Sequence, residues 1–198
     1  LVDLHPKYID LSLDRILKLL KKLDNPHLKL PPVIHIAGTN GKGSILSYIR
    51  NILMENNLNV HAYISPHLQI FNERIILANK EIKTEKLFNT LQYIKRINAN
   101  KPITFFEITS AAAFYLFAKV KADFLVLETG LGGRLDATNV IKKSLIDIIM
   151  PIGIDHQEFL GKSIFKITNE KLGIIKKGSS VIIAKQKKFV RSHIEKKL

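Results

Sequence analysis

The chain has 198 residues, 46% of them hydrophobic, with 31 Lys+Arg against 17 Asp+Glu, a formal net charge of +14 and no cysteine. That length and apolar content support one substantial core, and the missing thiols exclude disulfide scaffolds and Cys-based zinc sites, making a reducing, cytoplasmic setting the default. No apolar run approaches the ~18–20 residues of a membrane helix, since residues 111–118 are followed by Lys119 and residues 145–150 are interrupted by Asp147.

In chain order, residues 1–6 lack both an initiator methionine and the basic-then-apolar pattern of a signal peptide, so the chain reads as clipped at its start. Over 10–23, Leu13, Ile16, Leu17, Leu20 and Leu23 form a helical stripe that Asn25 and Pro26 end. Pro31 and Pro32 open a strand at 33–37, nearly continuous in apolar character as a strand buried on both faces should be, and glycines follow it at once. A helix over 44–56 carries Ile45, Tyr48, Ile49 and Ile52 on one face. A strand at 60–64, a polar loop and a hairpin near 78–80 come next, then a helix over 84–97. Residues 107–120, dense in alanine, read as a buried helix and 124–127 as a central strand. Strands at 146–150 and 181–184 flank a helix over 164–175, and a basic helical tail covers 189–198. This alternation predicts an α/β sandwich with a mainly parallel sheet, in one incomplete domain.

The positive charge raises a nucleic-acid reading. Its lysines, however, stand singly or in pairs, as at Lys142-Lys143 and Lys176-Lys177, with no basic helix or aromatic-rich RNA motif. The charge reads instead as compositional bias with some attraction for anionic substrates.

Gly38-Thr39-Asn40-Gly41-Lys42-Gly43-Ser44 lies between the first strand and a helix. Glycines let backbone approach an anion, amides and helix dipole supply partial positive charge, and Lys42 adds a full one. The strict phosphate-loop pattern would have Gly at Ile36 and Ser or Thr at Gly43.

Those departures carry a resemblance. Residues 37–44 are similar to the nucleotide loop of the folylpolyglutamate synthase family of the Mur ligase superfamily. So are Ser65-Pro66-His67-Leu68, Phe71-Asn72-Glu73-Arg74-Ile75, residues 127–139, Gly153-Ile154-Asp155-His156 and residues 170–176. The resemblance runs from 4 to 184. It implies a P-loop NTPase-like Mur ligase ATP-binding domain occupying 1–198, truncated, with the C-terminal glutamate ligase domain absent, so that the fragment alone is expected to be inactive. It also implies an ATP- and Mg2+-dependent ligase that phosphorylates a carboxylate of dihydropteroate or a folate and joins it to L-glutamate. A cytoplasmic monomer with neither nucleic acid nor membrane as partner is the expectation. Gly43 and Phe105-Phe106-Glu107 speak against a cell-wall precursor ligase, and a non-catalytic nucleotide-binding fragment is a further alternative.

Chemistry alone singles out Lys42, for phosphate charge, and Glu128, a carboxylate closing a buried strand where it has reason to be only if a cation meets it. On its own Ser65 reads as a turn residue before Pro66, His156 as a capping or core histidine, and Lys171 as a solvated helix lysine. The resemblance assigns Ser65, Glu128 and His156 to Mg2+. It gives catalytic roles to Lys42, His156 and Lys171, the last as a carbamate. It assigns Asp10, Leu11, Ser12, Thr104, Phe105, Phe106, Glu107, Leu135, Asp136 and Ala137 to a pterin pocket, where rings can stack and carboxylates accept N–H groups. One of the two phenylalanines is equally readable as core, and Arg74 as a structural ion pair or a substrate contact.

Overall fold

The computed structural model describes residues 11–198; Asp10 lies outside them. Its strands are β1 (Val33–Ala37), β2 (Val60–Tyr63), β3 (Ile75–Leu77), β4 (Lys80–Glu81), β5 (Phe124–Glu128), β6 (Ile146–Ile149) and β7 (Ser180–Ile183). They form one sheet in the order β4-β3-β2-β5-β1-β6-β7. Every pairing from β2 to β7 is parallel, whereas β3 and β4 add on antiparallel through a two-residue turn at Ala78 and Asn79. Both turn residues have positive φ, 45° and 72°, the mirror-image turn that matches strand twist.

The period-2 geometry of the strands sorts their side chains between two layers. Val33, Tyr63, Leu125 and Leu127 pack under α1 (Asp14–Lys22), α3 (Thr84–Asn98) and α4 (Phe105–Phe117). Ile34, Ile36, Ala62 and Val126 pack under α2 (Lys42–Glu55). A third cluster joins Ala37 and Ile149 to α5 (Gln157–Leu160), α6 (Ile164–Leu172) and α7 (Lys188–Glu195) through Leu160, Ile167, Val190 and Ile194. The predicted α/β sandwich with a mainly parallel sheet is the observed architecture.

Two helices differ from expectation. The face predicted for α2 included Tyr48 and Ile52, which stand 66% and 62% exposed; the buried face is Leu46, backed by Ile45, Ile49 and Leu53. Apolar residues occur almost all round this helix, so periodicity alone does not select the face. α4 starts at Phe105 rather than 107 because Thr104 and Glu107 form a reciprocal cap: Glu107 N donates to Thr104 Oγ1 at 3.1 Å, and Thr104 N donates to Glu107 Oε2 at 2.7 Å.

Candidate phosphate and substrate site

The carboxyl ends of β1, β2, β5 and β6 converge, where parallel α/β sheets bind ligands. β1 runs straight into the glycine loop. At Gly38 a Cβ would fall 2.5 Å from Cβ of Met150, so only glycine lets β1 and the strand beside it lie this close. Gly41, at φ +81°, caps α2, and Lys42 is the first helical residue. The first intrahelical bond is Ile45 N to Gly41 O, which leaves the amides of Lys42, Gly43 and Ser44 ahead of it in the first turn. Thr39 and Asn40 use their amides otherwise, both donating to Pro151 O, and Thr39 Oγ1 exchanges bonds with Gly153. These two residues thus splice the loop after β6 onto the phosphate loop.

Two lysines meet at one carbonyl. Lys42 Nζ donates to Gly38 O at 3.2 Å, and Lys171 Nζ, from α6, donates to the same oxygen at 2.9 Å. Lys171 is not the solvated helix lysine its sequence suggests, being only 3% exposed. Burial, and then the charge of Lys42, lower its pKa to about 8, against smaller opposing effects of Asp155 and Asp136.

Glu128 ends β5 opposite Ile36 of β1, one step beyond the Tyr63–Leu127 pair with β2. That register brings it to Ser65, whose amide donates to Glu128 Oε2 at 3.2 Å, its sole hydrogen bond among the described residues. Burial pushes its carboxyl up to about 7, with the Ser65 amide and Lys42 pulling the other way. Ser65 and Glu128 are therefore brought together, through the Ser65 amide rather than its hydroxyl. His156 is in left-handed conformation at φ 47°, half exposed, with Nε2 3.5 Å from Asp155 and no contact to Glu128. No trio of His, Asp or Glu side chains among the described residues is gathered tightly enough to hold a metal by itself.

A cavity of about 320 Å³ opens beside this cluster, lined by Leu11, Ser12, Thr104, Phe105, Phe106, Glu107, Leu135, Asp136 and Ala137, with Arg15 and Ser65. Every described residue assigned to the pterin pocket is on its wall. Phe106 is wedged against Gly130, where a Cβ would lie 2.6 Å from the ring, and Phe105 meets Phe71 edge-on. Both carboxylates already hold protein donors. Glu107 caps α4 and pairs with Arg15 Nε at 3.1 Å. Asp136 accepts from Gly130 N at 3.0 Å, Leu131 N at 2.8 Å, Thr138 N at 2.9 Å and Thr138 Oγ1. Arg15 escaped the sequence reading, although it stands three residues after Ser12 and lines the same cavity. Arg74 donates to His67 Nδ1 at 2.9 Å and lies over Phe71, bracing its own loop.

A profile of the Mur ligase middle domain matches residues 36–198, from inside β1 to the last residue. The chain belongs to this family. Relatives of this Mur ligase middle domain include dihydrofolate synthase/folylpolyglutamate synthase of Haemophilus influenzae, 41% identical over 179 residues, which cover 90% of this chain and 40% of the relative. Dihydrofolate synthetase of Saccharomyces cerevisiae is 41% identical over 175 residues, covering 86% and 40%. Among solved structures, Escherichia coli FolC in complex with DHPP and ADP superposes with a TM-score of 0.88 at 31% identity, over 98% of this chain and 47% of FolC. An FPGS–AMPPCP–folate complex gives 0.89 at 33% identity, over 99% and 49%. The chain thus spans about two fifths of the length of these curated relatives.

Proposed function

We propose that this protein is an ATP-dependent carbon–nitrogen ligase that adds L-glutamate to dihydropteroate or a folate, working as a cytoplasmic monomer. The observation that carries the reading is the position of Ser65. It lines both the 320 Å³ cavity and the cleft that runs along Gly41, Gly43, Ser44 and Glu128. A carboxylate presented from the first would meet a phosphoryl group held in the second. The relatives' names, and the nucleotide and folate in the related structures, support the same chemistry.

In this reading the amides of Lys42, Gly43 and Ser44 and the ammonium of Lys42 hold the nucleotide phosphates, and Lys42 offsets charge spreading over the transferred group. Glu128 fits a divalent cation: a hard oxygen donor, buried, with one amide partner and a carboxyl pushed up toward neutrality. The Ser65 hydroxyl and His156 would complete the protein's share of the Mg2+ ligands. The ion, when bound, would neutralise phosphate charge. Lys171 supports the carbamate reading, because burial and Lys42 enlarge its fraction of neutral amine, the form that adds carbon dioxide and releases a proton. Phe105 and Phe106 offer aromatic faces to a pterin, while Asp136, Glu107 and Thr104 keep the walls polar at defined points.

The test is ligation by the full-length protein, with ATP consumption followed alongside glutamate incorporation into dihydropteroate and, separately, into reduced folates. Product requiring ATP, Mg2+ and glutamate together is expected. ATP turnover without either acceptor, or no incorporation into both, would overturn the reading.

A further inference from the structure

Gln186 stands in the link between β7 and α7, outside the motifs of the phosphate and substrate sites, and lines neither the cavity nor the cleft used in ligation. Its carboxamide nonetheless grips backbone at two points. Nε2 donates to Met150 O at 3.1 Å, and Oε1 accepts from Ile152 N at 3.0 Å. A primary amide presents a donor and an acceptor side by side, and one carbonyl and one N–H here take both. The gripped segment prolongs β6 and is held by a second group of bonds. Thr39 N and Asn40 N donate to Pro151 O, and Thr39 Oγ1 exchanges bonds with N and O of Gly153. In the sheet β6 lies between β1 and β7. Residues 150–153 are thus clasped by chain leaving both neighbouring strands, the phosphate loop after β1 and Gln186 after β7.

What the clasp carries comes directly after it: Ile154, Asp155 and His156 follow Gly153. The His156 ring meets Asp155 at 3.5 Å and, among the described residues, is bonded to nothing in the phosphate loop or on Glu128. Its place relative to both is therefore set by the backbone on either side of it. Downstream, α5 is anchored by Leu160, which is 4% exposed. Upstream, the clasp is the anchor. We propose that Gln186 is a positioning residue for the metal end of the ligation site: by holding residues 150–153 against Thr39, it sets where His156 stands. The inference rests on the reading in which His156 shares in holding Mg2+. Gln186 itself touches no reacting group and acts only through the loop.

Histidine-ring NMR on the full-length protein tests this, with Mn2+ and ADP as probes and the His156 signal assigned through His156→Gln. In the unsubstituted protein, Mn2+ added with ADP should broaden that signal saturably. Gln186→Met, of similar length but with neither donor nor acceptor, should raise the Mn2+ concentration for half-broadening about tenfold or more, as loss of groups that orient metal ligands does. Gln186→Glu keeps the acceptor for Ile152 N, loses the donor to Met150 O, and should raise it less. Affinity for ADP without metal, measured by calorimetry, should hardly change in either variant. An unchanged half-broadening concentration in both variants would overturn the proposal. So would a loss of metal-free ADP affinity as large as the loss with metal, which would make Gln186 a general brace of the phosphate loop. Absence of His156 broadening in the unsubstituted protein would instead overturn the reading of His156 as a metal ligand, and this proposal with it.

Discussion

Glu128 and Asp136 are both buried carboxylates, one at each end of the same glycine-rich loop, and their surroundings differ sharply. Asp136 receives two hydrogen bonds on each oxygen, from Gly130 and Leu131 on one side and from both donors of Thr138 on the other. Burial still raises its pKa, against those four donors. Behind it, His35 Nε2 lies 3.0 Å from Thr138 Oγ1, and burial and then Lys176 lower the His35 pKa to about 3. A neutral imidazole that donates to Thr138 fixes the hydroxyl as donor to Asp136. Glu128 has one amide, the charge of Lys42 nearby, and a carboxyl near 7. A saturated carboxylate shapes the loop; an under-coordinated one retains lone pairs for a ligand. The same residue chemistry thus serves architecture at one end and binding at the other.

Substitutions should separate these two regions. Lys42→Ala removes a charge-assisted phosphate contact, and ATP-dependent ligation should fall by at least about a hundredfold while the melting temperature hardly moves. Turnover near wild type would remove Lys42 from the site. Lys171→Ala should lose most of its activity, and acetate or high carbon dioxide should partly restore it by returning an anion to that position. The unsubstituted enzyme should gain bicarbonate-dependent activity as pH rises toward 8, where the lysine's neutral form becomes abundant. Absence of both rescue and bicarbonate dependence would argue against a carbamate.

At the other end the effects belong to stability. Asp136→Asn turns an NH2 group toward two backbone or hydroxyl donors and should cost about 2–4 kcal/mol in chemical denaturation. Thr138→Val breaks the link from His35 to Asp136 and should cost about 1–2 kcal/mol. An unchanged denaturation midpoint in either variant would mean that the loop is held in some other way.

The central strands were legible as short, nearly continuous apolar runs, whereas the residues on the cavity wall were named by the family resemblance and not by their spacing. The face of α2 was not, since Ile45, Leu46, Ile49, Ile52 and Leu53 allow more than one stripe. Nor could spacing foretell that Lys171 is buried against Gly38 O, a contact made across 133 positions of sequence. Arg15 was hidden for the same reason, its partner Glu107 lying 92 positions away. Local patterns specify elements and loops; long-range closure decides which charges meet.

The account's central claim is that Glu128 is kept buried and poorly partnered for binding rather than for stability. A carboxyl whose folded pKa is about 7, above its ordinary value of 4.5, is charged at a cost: stability declines as pH rises from about 4.5 through 7, and the full cost is present above 7. Glu128→Gln removes that cost and the anionic ligand together. The decisive measurement is therefore this variant's ligation rate, set beside its thermal unfolding at pH 8 and pH 4 with nucleotide and metal left out of the unfolding samples. We expect activity to collapse while unfolding at pH 8 becomes about 1–3 kcal/mol harder, with no gain at pH 4. Retained Mg2+-dependent ligation, or a variant less stable than wild type at pH 8, would contradict the claim.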